Sequence, residues 1–446
     1  MKVNDRIRIY MDNFRGFQDS FVDLHDVNFL VGENSTGKTS FLNLKHIFLS
    51  EKFWMDANFN WHEYGFGNYD EIVSIESSNK DYFSIGFGSD MVIADNNDKN
   101  SSSIVSCCFF TYKNVGGLPK IKKATLVLRN YVMSLVFTPK STKLKLSELS
   151  PKKENDVSFD DFFKYVLGLH KDGSAKGYKL VPSDIGERKF PIIVFANIIF
   201  TKGFRDLDDS ENFLLPILPP TGHWSLTWIA PIRTKPKRTY DEVRLDFSPE
   251  GEHVPYLVKK ILDNDKSSKE FIRFVKRFGS DSGLFKDIRV HKLGRSQSSP
   301  FELDILLDNR PLNISNVGYG VSQALPLVVE LFVRPEATWY AIQQPEVHLH
   351  PKAQAAFGEL IFQLSTKEKK RFLVETHSDF TIDRFKILCG KNKNNLNAQI
   401  LFFDRKNGVN RVSQITINKK GKVEGRMPIN YRKFFLKEEL KLLGIN

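Results

Sequence analysis

The chain has 446 residues, 41% of them apolar and 38 of them phenylalanine, enough for one large core or two modest ones. A net charge of +12 permits an acidic partner such as DNA or RNA but does not require one, because the basic residues are spread along the chain. Three cysteines without metal-ligand spacing exclude a disulfide scaffold and fit a reducing compartment, and no apolar run approaches the ~20 residues that span a bilayer.

The N-terminus lacks the apolar core of a signal peptide, so a soluble, cytoplasmic chain is expected. Residues 7–11 alternate as a strand, Gly16 marks a turn, and 21–24 and 27–31 continue as strands. Next comes Gly32-Glu33-Asn34-Ser35-Thr36-Gly37-Lys38-Thr39, the pattern G-x-x-x-x-G-K-[ST]. Its glycines let the backbone curl so that N–H groups point at phosphate oxygens. Lys38 can reach the outer phosphates, and Thr39 can offer its hydroxyl to Mg²⁺. Apolar Phe41, Leu42, Leu44, Ile47 and Phe48 predict a helix over 40–48. The loop then lies between a buried strand and a helix N-terminus, where the dipole favours anions.

Residues 50–220 change texture: short strands (82–87, 103–112, 123–128, 132–138) alternate with polar clusters, and a helical patch follows at 159–169. Cys107 and Cys108 fall inside a strand-like apolar run and read as buried thiols. The longest apolar run, 190–200, is interrupted by Pro191 and Asn197. A Pro- and Arg-rich connector occupies 224–250, and 254–278 reads as helix broken near Asn264-Asp265. Strands at 288–293 and 302–307 precede Gly318-Tyr319-Gly320-Val321-Ser322-Gln323, which opens a helix to 332. A buried strand at 339–342 runs into Gln343-Gln344-Pro345-Glu346-Val347-His348-Leu349-His350-Pro351. A helix at 352–364, a strand at 371–375 ending in Thr376-His377-Ser378, a helix at 379–388, strands at 400–403 and 412–417, and a closing helix at 432–443 complete the chain. Alternating strands and helices around the motifs argue α/β, and no heptad persists long enough for a coiled coil.

The order phosphate loop, glycine–serine signature, strand-end motif and histidine resembles the ABC-class ATPase heads of the SMC, RecF and OLD group. Asn13-Phe14-Arg15-Gly16-Phe17 is similar to that group's opening, and His350-Pro351 with Thr376-His377-Ser378 resembles its OLD-like branch. Within that branch, 229–240 and the ending Phe434-Phe435-Leu436-Lys437-Glu438-Glu439 resemble the PtuA-type ATPase subunits of Septu phage-defence systems. The resemblance covers about residues 1–50 and 224–446. It implies an ABC-ATPase head with a P-loop NTPase fold, built from an N-terminal lobe (1–50) and a C-terminal lobe (224–446). An α+β insertion (51–223) would separate the lobes.

The resemblance further implies ATP and Mg²⁺ as cofactors. Arg15, Asn34, Ser35, Thr36, Gly37, Lys38, Thr39, Ser40 and Gln343 would hold nucleotide, with Thr39 on the metal. Gly318, Gly320 and Ser322 would face the nucleotide of a second subunit, which implies a homo-oligomer of at least two chains. Gln344 and His377 would occupy the catalytic positions. A separately encoded HNH-type nuclease is the implied partner, since no nuclease metal site is legible in the chain. The sequence departs from the family where it carries Gln343-Gln344 in place of an acidic pair. An amide has no negative charge and takes no proton, so tight ATP binding with slow or absent hydrolysis is expected. Glu346 is the nearest acid that could substitute, and its place beyond Pro345 turns it elsewhere. A RecF-like DNA-repair clamp and an active ATPase motor remain the alternatives. His348 and His350 admit a metal or a dimer contact, and His377 a phosphate sensor or an ordinary strand-end histidine.

Overall fold

The computed structural model describes residues 6–49, 53, 59–61, 64–93, 102–128, 131–149, 158–181, 226–241, 244–296, 299–308 and 310–425. The apolar run 190–200, the closing helix 432–443 and the ending 434–439 lie outside the described residues.

The first half comprises β1 (Arg6–Asp12), β2 (Ser20–Leu24), β3 (Val27–Gly32), α1 (Lys38–Leu49), β4 (Asn60–Trp61), β5 (Tyr64–Gly65), α2 (Tyr69–Ile72), β6 (Phe83–Ile93), β7 (Ser102–Val115), β8 (Leu118–Leu128), β9 (Tyr131–Phe137), β10 (Thr142–Glu148), α3 (Phe159–Lys171) and β11 (Lys179–Leu180). The second comprises β12 (Leu226–Ile229), α4 (Val254–Leu262), α5 (Asp265–Ser282), β13 (Asp287–Lys292), β14 (Phe301–Leu306), β15 (Pro311–Asn313), α6 (Tyr319–Val333), β16 (Trp339–Gln343), α7 (Pro351–Lys367), β17 (Arg371–Glu375), α8 (Asp379–Lys391), β18 (Ala398–Lys406), β19 (Val409–Ile417) and β20 (Val423–Glu424). These residues group into two compact units. One lies within Met1–Leu24, Glu33–His223 and Phe403–Val412, the other within His25–Gly32, Trp224–Phe402 and Ser413–Asn446.

The first unit is built on an eight-stranded antiparallel sheet, ordered β11-β10-β9-β8-β7-β6-β1-β2. Gly116 and Gly117 form the two-residue turn between β7 and β8, both at positive φ, which is the twist-matched hairpin geometry. On α3, Phe159, Phe163, Val166 and His170 fall on one stripe and are buried. They pack with Tyr10, Cys107, Phe109 and Val132 of the sheet. Ser158 caps α3 by accepting from the Asp161 N–H, and Asp160 and Asp161 favour its positive end. Arg8 bonds Asp23 and Asp160 from beneath, stacked on Phe159 and Phe163. Cys107 and Cys108 are buried free thiols in β7, as their apolar context predicts, and burial pushes both thiol pKa values up.

The second unit holds a seven-stranded sheet ordered β12-β16-β17-β3-β18-β19-β20. β12, β16, β17 and β3 run parallel. Every residue of β16 and the first four of β3 are buried, which explains why these strands read as continuous apolar runs rather than alternations. Their core is shared with α4 to α8. β12 corrects the reading of 224–250 as connector throughout. Four residues carry too little periodicity to show as a strand, and pairing with Trp339 to Ile342 supplies what local sequence does not. The break predicted near Asn264 is a helix start: Asn264 accepts from the N–H groups of Lys266 and Ser267 and caps α5. With 18 residues, α5 is the longest described helix, so no long coiled coil forms among the described residues. None of the described helices is long and apolar enough to cross a membrane.

His170 is enclosed between the hydroxyls of Thr111 and Thr125, at 2.8 and 2.9 Å, and its pKa is lowered to about 3, chiefly by burial. Burial likewise lowers His46 to about 4. The unfolded chain protonates both near pH ~6.5 while the folded chain refuses the proton. Their stabilising effect is therefore complete above that pH and declines as pH falls toward the folded values. Replacing His170 by Gln keeps a polar partner for the threonines and removes the titration. Urea unfolding of the full chain at pH 7 and pH 5 should show a smaller acid-induced loss in His170→Gln, by up to ~1.4 kcal/mol per pH unit.

Candidate functional site

The phosphate loop joins β3 to α1. Gly37 sits at φ +96°, and a Cβ there would stand 2.5 Å from Phe17 Cζ and 3.0 Å from Asn410 Nδ2. Only glycine fits, on both conformation and space. Ser35 is also left-handed, at φ +63°. The Thr36 hydroxyl donates to the Glu33 carbonyl at 2.7 Å and is buried, so it serves the curl of the loop. Lys38 Nζ donates to the same carbonyl at 2.6 Å, laying the ammonium across the loop. Asn34, Ser35 and Thr39 are exposed, and Ser40 is half-buried. The first turn of α1 carries no acid, so side chains leave its positive end uncompensated. The loop's glycine-lined curl, its lysine and its threonine fit a nucleotide triphosphate with Mg²⁺.

Arg15 contributes to this region through its backbone. Its carbonyl accepts from Asn410 Nδ2 at 2.9 Å, whereas its guanidinium turns onto Phe66, donating to that carbonyl at 2.5 Å over the ring.

In the second unit, the carboxyl ends of β16, β17 and β3 lie side by side, the edge at which open α/β sheets bind ligands. Gln343 is buried, and its amide is held at both ends. Trp228 Nε1 donates to Oε1 at 3.1 Å, and Nε2 donates to Glu375 Oε2 at 3.0 Å. Gln344 adopts φ +44°, a costly conformation for a side chain of this kind, and its N–H donates to the Glu375 carbonyl at 2.7 Å. Glu346 turns back onto the end of β17. It accepts from the Thr376 hydroxyl at 2.8 Å and from the His377 N–H at 2.6 Å. The His377 ring is exposed beside it.

Arg233 closes the edge from the β12 side. It is 3% exposed, and burial lowers its pKa to about 10 against the opposing charge of Glu346. Nη2 donates to the Gln343 carbonyl at 3.3 Å, while Nε and Nη1 are buried without a partner among the described residues. Gln323 grips its backbone, accepting from the Arg233 N–H at 3.2 Å and donating to its carbonyl at 3.3 Å. The signature helix α6 is thus joined to the end of β16 through one arginine.

Gly318 caps α6 and is exposed, and Gly320 packs so that a Cβ would meet the His348 carbonyl at 3.1 Å. Ser322 is buried and donates to the Tyr319 carbonyl at 2.9 Å. The two histidines have separate surroundings: His348 lies against the Tyr319 ring, and His350 caps α7. Among the described residues, no three His, Cys, Asp or Glu side chains converge as a metal cage.

Three of these residues were given no site role from sequence, Trp228, Arg233 and Glu375, and Gln323 was read only as the last residue of the signature. Glu375 left a signal, a carboxylate at the end of an otherwise apolar strand, and Arg233 a weaker one, a charge following an apolar run.

Two family models match the chain. One, described as "AAA ATPase domain", covers residues 1–177; the other, described as "AAA domain, putative AbiEii toxin, Type IV TA system", covers 212–383. No curated protein matches. Among solved structures, the chain is similar to an SMC head bound to the C-winged helix domain of ScpA, at 11% identity over 92% of this chain and 98% of that one, with a TM-score of 0.42. It is also similar to the SMC head domain from Thermotoga maritima (13%, 91% and 97%, TM-score 0.38) and to the recombination mediator protein RecF (11%, 91% and 97%, TM-score 0.32). Segments similar to AAA ATPase domains therefore cover 1–177 and 212–383 of a mixed α/β chain, and ATPases of such families use ATP with Mg²⁺.

Gln323→Ala would leave the buried N–H and carbonyl of Arg233 without partners, at ~1–3 kcal/mol for each unsatisfied group. A clear fall in melting temperature of the full chain is the expected result.

Proposed function

We propose that the protein is a dimerising ATP-binding switch whose bound nucleotide is hydrolysed slowly or not at all. The observation that carries this reading is the Gln343-Gln344 pair at the end of β16, where catalysis would need a carboxylate base. Bound Mg²⁺ would neutralise phosphate charge and orient the phosphates. The N–H groups of 34–39 would cradle the phosphates, Lys38 would leave the Glu33 carbonyl for a phosphate oxygen, and Thr39 would offer its hydroxyl to the metal. Gln344 can orient a water through its amide but accepts no proton, so the attacking water stays weakly activated. His377, its N–H bonded to Glu346 and its ring exposed, would act as a phosphate sensor.

The start of α6 would complete the nucleotide site of a second subunit. Exposed Gly318 supports this, while the Ser322 hydroxyl would first have to turn from the Tyr319 carbonyl. The similarity of segment 229–240 to defence ATPases supports a further reading: a regulatory or scaffold subunit of an anti-phage complex, in the cytoplasm, controlling a separately encoded HNH-type nuclease. The type IV toxin–antitoxin wording of the model over 212–383 is compatible with such a setting.

Equilibrium binding of a fluorescent ATP analogue and steady-state phosphate release test the core of this proposal. Wild type should bind nucleotide with little turnover, and Lys38→Ala should lose binding. Gln344→Glu should raise turnover by ~10²-fold by restoring a base. Brisk, Lys38-dependent turnover by the wild-type chain would overturn the switch reading.

A further inference from the structure

Much of the net positive charge falls on one stretch of the first unit. Residues 111–149 hold seven lysines and one arginine against a single acid, Glu148. The strand registers gather most of these lysines on one face. Thr111 on β7 and Thr125 on β8 both bond His170, so they mark the face of the sheet that α3 covers. Lys123 lies opposite Thr111, and Val136 lies between Lys123 and Lys143, which sets the two lysines in one row of that face. Lys145 stands in the next row, aligned with Ser134 and Thr125. Lys113 follows Thr111 by two residues and pairs directly with Lys120. A bulge beside Thr111 adds Lys122, which is exposed.

The other face of these strands carries Tyr112, Ala124, Leu126, Leu135 and Leu144, all buried. The lysines therefore occupy the side where α3 ends. Lys123 donates to the carbonyls of Leu169 and Asp172, closing the negative end of that helix, and Lys145 pairs with Asp172 at 3.5 Å. Lys113, Lys120, Lys122 and Lys143 have no ion-pair partner among the described residues. Like charges directly opposite each other, as at Lys113 and Lys120, cost stability unless an anion lies over them.

We propose that this lysine face of the eight-stranded sheet is a docking surface for double-stranded nucleic acid, held through its phosphates without sequence preference. A polyanion laid across the face neutralises several ammonium groups at once and releases its counterions. Lysine suits this task, because it meets phosphate as a point charge and needs no fixed geometry. Single strands are held largely by stacking on aromatic rings. The exposed large apolar side chains of this stretch are Val115 and Leu118, neither of them aromatic, and Tyr178 is half-buried against Lys145. Those two side chains, at the β7–β8 turn, are too few to anchor the sheet in a lipid surface, where binding grows with buried apolar area. The inference is independent of the nucleotide reading above.

The test is fluorescence anisotropy of the full chain with a short labelled DNA duplex of arbitrary sequence, across a salt series. The triple variant Lys120→Ala, Lys122→Ala, Lys143→Ala removes three exposed charges. It should bind at least ~10-fold more weakly near about 0.1 M salt, and the slope of log K against log salt should become shallower by about 2–3. A control variant lacking Lys391, Lys393 and Lys420, exposed on the second unit, changes net charge equally and should keep the wild-type slope. If the first variant loses its cooperative melt, Lys120→Gln and Lys143→Gln carry the test singly, each lowering the slope by about 1. Competition by unlabelled DNA or RNA duplex at lower phosphate concentration than by a single strand or by phosphatidylserine vesicles supports the assignment and identifies the duplex. The reverse order of competition, equal losses in the test and control variants, or no duplex binding by the wild-type chain overturns it.

Discussion

The parallel pairing of β17 with β16 on one side and β3 on the other is the constraint on which the candidate chemistry of the second unit depends. Two neighbouring segments and a third some 300 residues upstream end at one edge because their apolar runs can be buried only inside a sheet covered on both faces. The register is held by more than apolar packing. At the edge, the Gln343 amide bonds a buried carboxylate on the next strand, a contact of the kind that contributes ~1.5–3 kcal/mol. A one-residue slip of β17 would separate that pair and turn the Glu375 side chain to the opposite face.

The same edge gathers unfavourable features that an ordinary core avoids. Gln344 and His348 are left-handed non-glycine residues, and Arg233 carries a buried charge with two nitrogens unpartnered among the described residues. Each costs stability, and each persists because neighbouring bonds over-determine it. The Gln344 N–H is fastened to β17, the Arg233 backbone to Gln323, and Glu346 to the start of the Thr376-His377 turn. Strain and buried polarity concentrated in this way are features of a binding edge rather than of a packing layer.

Elsewhere in the second unit, two buried polar side chains, His253 and Glu330, bond to each other. His253 takes the Ser248 N–H on Nδ1 and so bonds Glu330 through Nε2 at 2.6 Å. Burial alone would raise the Glu330 pKa, but the bonds from His253 and Arg334 outweigh it and hold this carboxyl below its usual range. The pair binds α6 to the segment that precedes α4. The helix carrying the signature is thereby supported at its far end by a buried hydrogen bond and at its near end by Gln323.

Local chemistry was legible in the sequence wherever one short stretch contains its own cause. The phosphate loop needs a glycine at 37 and a lysine at 38, the Asn264 cap announces the start of α5, and the spacing of Phe159, Phe163 and Val166 defines one face of α3. The amide pair at 343–344 and the glycine–serine turn before α6 could be read in the same way. What the sequence could not show by itself was partnership. β12 is a strand only because β16 lies beside it, the Arg15 guanidinium is turned onto Phe66, and Ser322 bonds within its own helix turn. Glu375 was one acid among many until pairing set it against Gln343. Motifs depend on neighbours a few residues apart, which the linear chain already specifies. The location of a buried charge depends on which distant strand lies opposite, and only burial of the whole sheet decides that.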